Sequence, residues 1–183
     1  YDMDYLGGSR RTYFTRNGIH HCARQLPNGN YIMGSSSFFG SVENVIVEVS
    51  AQTGKPVKTL VMDDLFDDYY QNWKDWAHVN AVDYRESDHS VLISLRNVHA
   101  VIKVDWETFE LQWILSNPAF WEQTGMRDKV LEPVGEVTWF YQQHAACFQE
   151  EDEEEGGTRI LLYDNHWDKR RKAECFDGDE EFS

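Results

Sequence analysis

The strongest constraint on this chain is a recurrence. Short segments rich in Val, Ile, Tyr and Trp, bounded by turn residues, return in sets that each begin with a histidine. Such runs read as consecutive antiparallel strands. In the first set His20 to Leu26 runs into Pro27-Asn28-Gly29-Asn30, whose Asn-Gly suits a tight hairpin turn, and Tyr31 to Gly34 leads out of it. Asn44 to Val49 and Pro56 to Val61 then flank Gln52-Thr53-Gly54-Lys55 as a second hairpin. The second set is His78 to Tyr84, Ser90 to Leu95, His99 to Val104 and Phe109 to Leu115. A third starts at His144, passes through an acidic loop and continues with Arg159 to Tyr163.

Aligned on their leading histidines, His21, His78 and His144 stand 57 and 66 residues apart. A four-stranded blade takes about 40 to 45 residues, so insertions at 63–76 and 118–131 make up the excess; both are acidic, aromatic and compatible with short helices. Four strands per repeat with a recurrent first-strand residue predict an all-β fold, a β-propeller of four-stranded antiparallel blades whose equivalent positions converge on a central channel. The blade-like units are 20–62, 78–116 and 143–183, the last incomplete. A closed propeller needs about four to eight blades. This chain, with about three, is therefore expected to be part of a longer protein.

Charge narrows the partners. The 183 residues carry 32 acidic against 17 basic side chains, a net charge of −15, and such a field repels phosphate backbones and anionic lipid. Nucleic acid and membrane surfaces are not expected as partners. No run of 18 apolar residues exists, so no membrane-spanning helix is expected. The chain opens on Tyr1 without a basic and then apolar stretch, so a signal peptide is expected to have been removed or to lie outside this sequence. Cys22, Cys147 and Cys175 form no Cys-x-x-Cys and cannot all pair within the chain; unpaired thiols are expected.

The chemistry gathers in Asp75-Trp76-Ala77-His78-Val79-Asn80, Ser94-Leu95-Arg96 and Gln142-Gln143-His144-Ala145-Ala146. Strand alternation points His78 and Asn80 the same way, and Arg96, at the far end of the next strand, lies within reach of an anion held by the histidines. Histidines, an arginine and an asparagine converging without a carboxylate cluster describe a site for a transferable oxyanion. Arginine binds it with a planar, permanently charged fork. One neutral imidazole attacks the central atom while another moves a proton to or from the alcohol or phenol oxygen.

These segments, together with His20-His21 before Leu26-Pro27-Asn28-Gly29-Asn30 and with Leu162-Tyr163-Asp164-Asn165, resemble the bacterial arylsulfate sulfotransferases, in order along nearly the whole chain. The resemblance implies a six-bladed propeller and a ping-pong reaction. A histidine takes the sulfuryl group from a phenolic sulfate ester and passes it to a phenol, with no adenosine phosphosulfate and no other cofactor. Carried over by motif, His144 is the nucleophile that becomes sulfohistidine. His78 and Asn80 line the sulfate pocket and assist proton transfer, Arg96 binds the sulfuryl oxygens, and His20 or His21 is the earlier active-site histidine, His21 by the repeat alignment. The partners implied are a small phenolic sulfate donor and a phenol acceptor, and the location implied is periplasmic or secreted. The residue after Asp164-Asn165 is His166, where that family commonly has glycine.

Two other functions compete: a non-catalytic propeller segment binding an anionic or aromatic ligand or a protein partner, and an aryl sulfate hydrolase with water as acceptor. Metal is not expected, because no His-x-His or His-x-x-x-His pair exists and no carboxylate accompanies the repeated histidines. His89, His99 and His166 read as turn or surface residues, the tryptophans mostly as blade core, and Glu150 to Glu155 as a solvated loop. Cys147, three residues after His144, falls on the opposite strand face, which excludes a Cys/His dyad. Open blade edges are expected to favour self-association.

Overall fold

The strand pattern of the sequence becomes a set of separate antiparallel sheets in the computed structural model, which describes residues 2–3, 10–11, 18–37, 41–66, 74–149 and 157–166. A short ladder pairs β1 (Asp2–Met3) with β2 (Arg10–Arg11). The first four-stranded sheet runs β3 (His20–Gln25), β4 (Tyr31–Ser35), β5 (Val45–Val49) and β6 (Pro56–Val61), in sequence order. The second runs β7 (Val79–Arg85), β8 (Ser90–Leu95), β9 (Ala100–Asp105) and β10 (Leu111–Leu115), likewise in order. A two-stranded sheet pairs β11 (His144–Phe148) with β12 (Ile160–Tyr163). The described residues are mostly β with almost no helix, and no sheet among them closes on itself.

Local chemistry sets each turn. At Pro27-Asn28-Gly29 the Gly29 N–H donates to the Leu26 carbonyl and Leu26 and Asn30 close the ladder, both at 2.8 Å. Of these residues Gly29 has positive φ (+84°) and Asn28 does not, so this is a type I turn followed by a left-handed glycine, a three-residue loop in place of a two-residue one. Among the described residues, the inserted segments hold short pieces only: the single turn α1 (Met62–Leu65) and 3-10 turns at Pro118–Phe120 and Arg127–Lys129. Asp63 on α1 accepts from Trp76 Nε1 at 2.5 Å and Asn44 Nδ2 at 2.9 Å, which binds that turn to the chain entering the second sheet.

The main core lies between the sheets. Ile32, Ile46 and Leu60 of the first sheet and Val79, Val82, Ile93, Leu95 and Ile102 of the second share one buried cluster with Phe66, Trp76, Trp106 and Trp121. Burying one such aliphatic side chain is worth about 1.5–3 kcal/mol. Glu48, buried on β5, crosses the same boundary: its carboxylate accepts from Asn28, Asn30 and, at 3.0 Å, from Trp106 Nε1. Burial alone would raise that carboxyl's pKa, but the three hydrogen bonds and the Lys58 charge outweigh it and hold it below the ordinary range.

The packing brings strand beginnings together. β3 lies against β7, and β11 lies against β7 and β8. Leu161 and Tyr163 of β12 are exposed. Cys22 and Cys147 are free thiols. Cys175, Trp73, Trp167, the run Glu150 to Glu155 and the end of the third unit lie outside the described residues.

Candidate active site

The leading strands β3, β7 and β11 are irregular where they begin, and the irregularity sets the histidines. In β3 the register skips between His20, paired with Gly34, and Ala23, paired with Met33. In β11 it skips between His144, paired with Tyr163, and Cys147, paired with Leu161. Each skip follows directly on a left-handed residue, His21 (φ +59°) or Ala145 (φ +54°). By register, then, His144 corresponds to His20, and the repeat alignment that equated it with His21 is displaced by one residue. His78 is itself left-handed (φ +49°) and stands just before β7. Alternation counted along sequence does not cross such bulges.

The imidazoles nevertheless meet. Ring centroids lie 5.2 Å apart for His21 and His78, 6.3 Å for His21 and His144, and 6.5 Å for His20 and His21. Backbone bonds hold the rest of the set beside them: Arg96 N–H donates to the His78 carbonyl at 3.1 Å, and Val79 N–H to the Glu43 carbonyl at 2.7 Å. Asn80 sits on the bulge between Val79 and Ala81. It does not share His78's partners as alternation implied. Buried, it donates from Nδ2 to the Gln143 carbonyl at 2.7 Å and so ties β7 to the residue before His144. Its Oδ1 is buried with no hydrogen-bond partner among the described residues.

Carboxylates accompany the histidines, contrary to the sequence expectation. Glu43 Oε2 lies 2.9 Å from His78 Nδ1 and 3.2 Å from His21 Nε2, and Oε1 lies 3.4 Å from His20 Nδ1. Asp75 meets His78 Nδ1 at 2.8 Å with Oδ2 and 3.0 Å with Oδ1. Because an ionised carboxylate only accepts, this Nδ1 carries the proton and Nε2 is the free position of a neutral His78. Asn97 Nδ2 donates to the Asp75 carbonyl at 2.6 Å and fixes it from below. Glu43 stands 22 residues from His21 in a polar turn without any motif, so no signal in the sequence could have marked it; Asp75 was at least adjacent in the quoted segment.

Gln142 is the organising residue on the other side. Left-handed (φ +51°) and buried, it offers its carbonyl to His144 Nδ1–H at 3.1 Å and to Asn165 Nδ2 at 2.8 Å, and its side-chain Oε1 to Arg96 Nη2 at 2.9 Å. Arg96 Nη1 donates to Asn97 Oδ1 at 2.8 Å, so both amino groups of the guanidinium rest on neutral amides. The Gln142 N–H donates to His99 Nδ1 at 3.1 Å. His99 is 7% exposed; it stands in a turn, one of the two places read for it from the sequence, but buried beneath the site and not on the surface. Asp164 accepts from Tyr141 N–H at 2.9 Å, which gives the Asp164-Asn165 pair its local purpose of holding the approach to β11.

His144 is tuned toward neutrality. Burial comes first among the causes that lower its pKa, followed by the positive field of Arg96 and then by His21 and His78, against the opposing hydrogen bond to the Gln142 carbonyl. Nδ1 of His144 lies 3.1 Å from both the Gln142 carbonyl oxygen and Asn165 Nδ2; the carbonyl can only accept, so in the tautomer that bonds to it Nδ1 carries the proton and the lone pair is on Nε2. The arrangement can present a neutral imidazole nitrogen, a permanent cation and a second imidazole backed by carboxylates to one small group.

The family described as Arylsulfotransferase (ASST) matches residues 1–183, the whole chain. No curated protein matches the chain.

Proposed function

We propose that this chain, which belongs to the arylsulfotransferase family, moves a sulfuryl group from a phenolic sulfate ester to a phenolic acceptor through a sulfohistidine at His144, independently of adenosine phosphosulfate. The observation that carries the reading is the contact of His144 Nδ1 with the Gln142 carbonyl oxygen at 3.1 Å. A neutral ring whose Nδ1–H is held by the Gln142 carbonyl has its nucleophilic pair at Nε2.

In the first half-reaction Nε2 of His144 bonds to sulfur as the sulfur to aryl-oxygen bond breaks, and protonated His78 gives its Nε2 proton to the departing phenolate. The ring positive charge of the sulfohistidine falls on Nδ1–H, which Gln142 already accepts. In the second half-reaction the acceptor phenol returns a proton to His78 Nε2, its oxygen bonds to sulfur, and the nitrogen–sulfur bond breaks. Sulfuryl transfer resembles phosphoryl transfer in its loose transition state, so positioning and charge carry the catalysis. Arg96 binds the sulfuryl oxygens, while His21, His20 and Asn80 shape the pocket. We read the sheets as blades of a propeller whose first strands face the channel, and the reaction as periplasmic or secreted. No described helix is long and apolar enough to cross a membrane.

Incubation with 4-nitrophenyl sulfate followed by mass spectrometry tests the reading. One sulfuryl mass on the peptide containing His144, discharged by added phenol, is the expected result. Nitrophenol release indifferent to phenol makes the protein a hydrolase instead, and binding without labelling makes it a non-catalytic ligand-binding module.

A further inference from the structure

Three donor atoms of the histidine cluster form a small triangle. His21 Nε2, Glu43 Oε2 and His78 Nδ1 all lie within 4.8 Å of one another, with His21 and His78 at 3.2 and 2.9 Å from the shared carboxylate oxygen. Ligand atoms around a tetrahedral zinc ion with bonds near 2.0–2.1 Å stand about 3.4 Å apart. Slight side-chain adjustment is enough to match that spacing.

Charge makes the triangle more than a hydrogen-bond network. His78 Nδ1 faces Glu43 Oε2 and both oxygens of Asp75, yet it carries only one proton. With neutral rings the two carboxylates share that single N–H. Among the described residues they find their other donors only in neutral groups, Glu43 in His21 and His20 and Asp75 in the Asn97 amide. Arg96, the nearby cation, spends its amino groups on Asn97 and Gln142. A dication at the centre of the triangle would replace the shared proton and meet the excess negative charge directly. Two imidazoles and one carboxylate with an open fourth position suit a borderline first-row ion, unlike Ca²⁺ or Mg²⁺, which take oxygen ligands. The backbone around the ligands is pinned: Glu43 N–H donates to Ser36 Oγ at 2.9 Å, and Val79 N–H, next to His78, donates to the Glu43 carbonyl at 2.7 Å.

We propose that His21, Glu43 and His78 form a binding site for a divalent first-row transition ion, Zn²⁺ foremost. Metal and proton are alternatives at His78 Nδ1: a neutral ring that takes the ion there carries its proton at Nε2 instead, so binding changes the tautomer of His78. The site shares His21 and His78 with the sulfuryl-transfer reading, and an ion at His78 Nδ1 would hold a proton on Nε2 and so compete with the proton transfer proposed there; its readout, metal binding, does not depend on that activity.

The experiment is a titration of the chain with Co²⁺, followed by its visible absorption, then displacement by Zn²⁺. One equivalent is expected, with affinity falling at least tenfold in Glu43→Gln and in His21→Ala and unchanged in His166→Ala. Glu43→Gln is nearly isosteric, and circular dichroism shows whether it is folded. As a second measurement, Co²⁺ added to the unaltered chain should shift or broaden the imidazole proton signals of His21 and His78 before those of His89 and His166. Absent Co²⁺ absorption in the folded chain, unaltered affinity in folded Glu43→Gln, or first effects at His89 or His166 would overturn the assignment.

Discussion

The backbone carbonyl of Gln142 accepts the Nδ1–H of His144 across 3.1 Å. A main-chain oxygen cannot rotate away or change protonation, so it favours a proton at Nδ1 over the competing contact of the Asn165 side-chain amide with the same nitrogen at 3.1 Å. Long-range proton–nitrogen NMR should therefore show His144 neutral at pH 7 with Nδ1 protonated and Nε2 bare. The opposite tautomer would remove the nucleophile from the proposed reaction.

Replacing His144 by Ala should abolish sulfuryl transfer and labelling together, since no other imidazole has this carbonyl partner among the described residues. Retention of turnover by a clean preparation of the variant counts against the assignment.

Arg96→Gln removes a positive charge that opposes protonation of His144. The His144 pKa should rise toward its ordinary value, and the acidic limb of kcat/KM, where the nucleophile becomes protonated, should move to higher pH. Titration of the ring proton signals by NMR checks the shift without needing activity.

Gln142→Ala leaves the carbonyl in place but frees Arg96 Nη2 from its 2.9 Å partner. The tautomer should persist while transfer slows by on the order of 10²-fold, the cost of a misplaced charged group. A fall in kcat with an unchanged NMR tautomer is the expected pairing.

Glu48→Ala should destabilise the fold by about 1–3 kcal/mol, because Trp106 Nε1 and two asparagine amides lose a buried acceptor. Since hydrogen bonds hold the Glu48 carboxyl below its ordinary range, its contribution is fully present above the unfolded value of about 4.3 and is lost as pH falls through the lower folded value. Urea denaturation should show the difference between the two proteins at neutral pH and its shrinkage in acid.

Much of the architecture was legible in the residues themselves. Short Val- and Ile-rich runs such as Val45–Val49 and Ser90–Leu95, and turns such as those at Gly29 and Gly54, carry their own strand and turn chemistry, because those preferences are local to a few residues. The histidines were legible by their recurrence. Their exact equivalence was not, since it depends on where each strand bulges, and a bulge shifts every face by one residue.

Tertiary structure alone decided the surroundings of the imidazoles. Glu43 reaches His21 and His78 because the residues just ahead of β5 lie beside the starts of β3 and β7, and His99 comes to lie under Gln142 from 43 residues away. Such contacts are properties of how sheets pack, and neither residue type nor spacing records them. The sequence by itself determined a strand-built chain with imidazoles at the heads of its sheets and the family it belongs to; the charges and hydrogen bonds that give each imidazole its proton and its free nitrogen come from elements brought together in space.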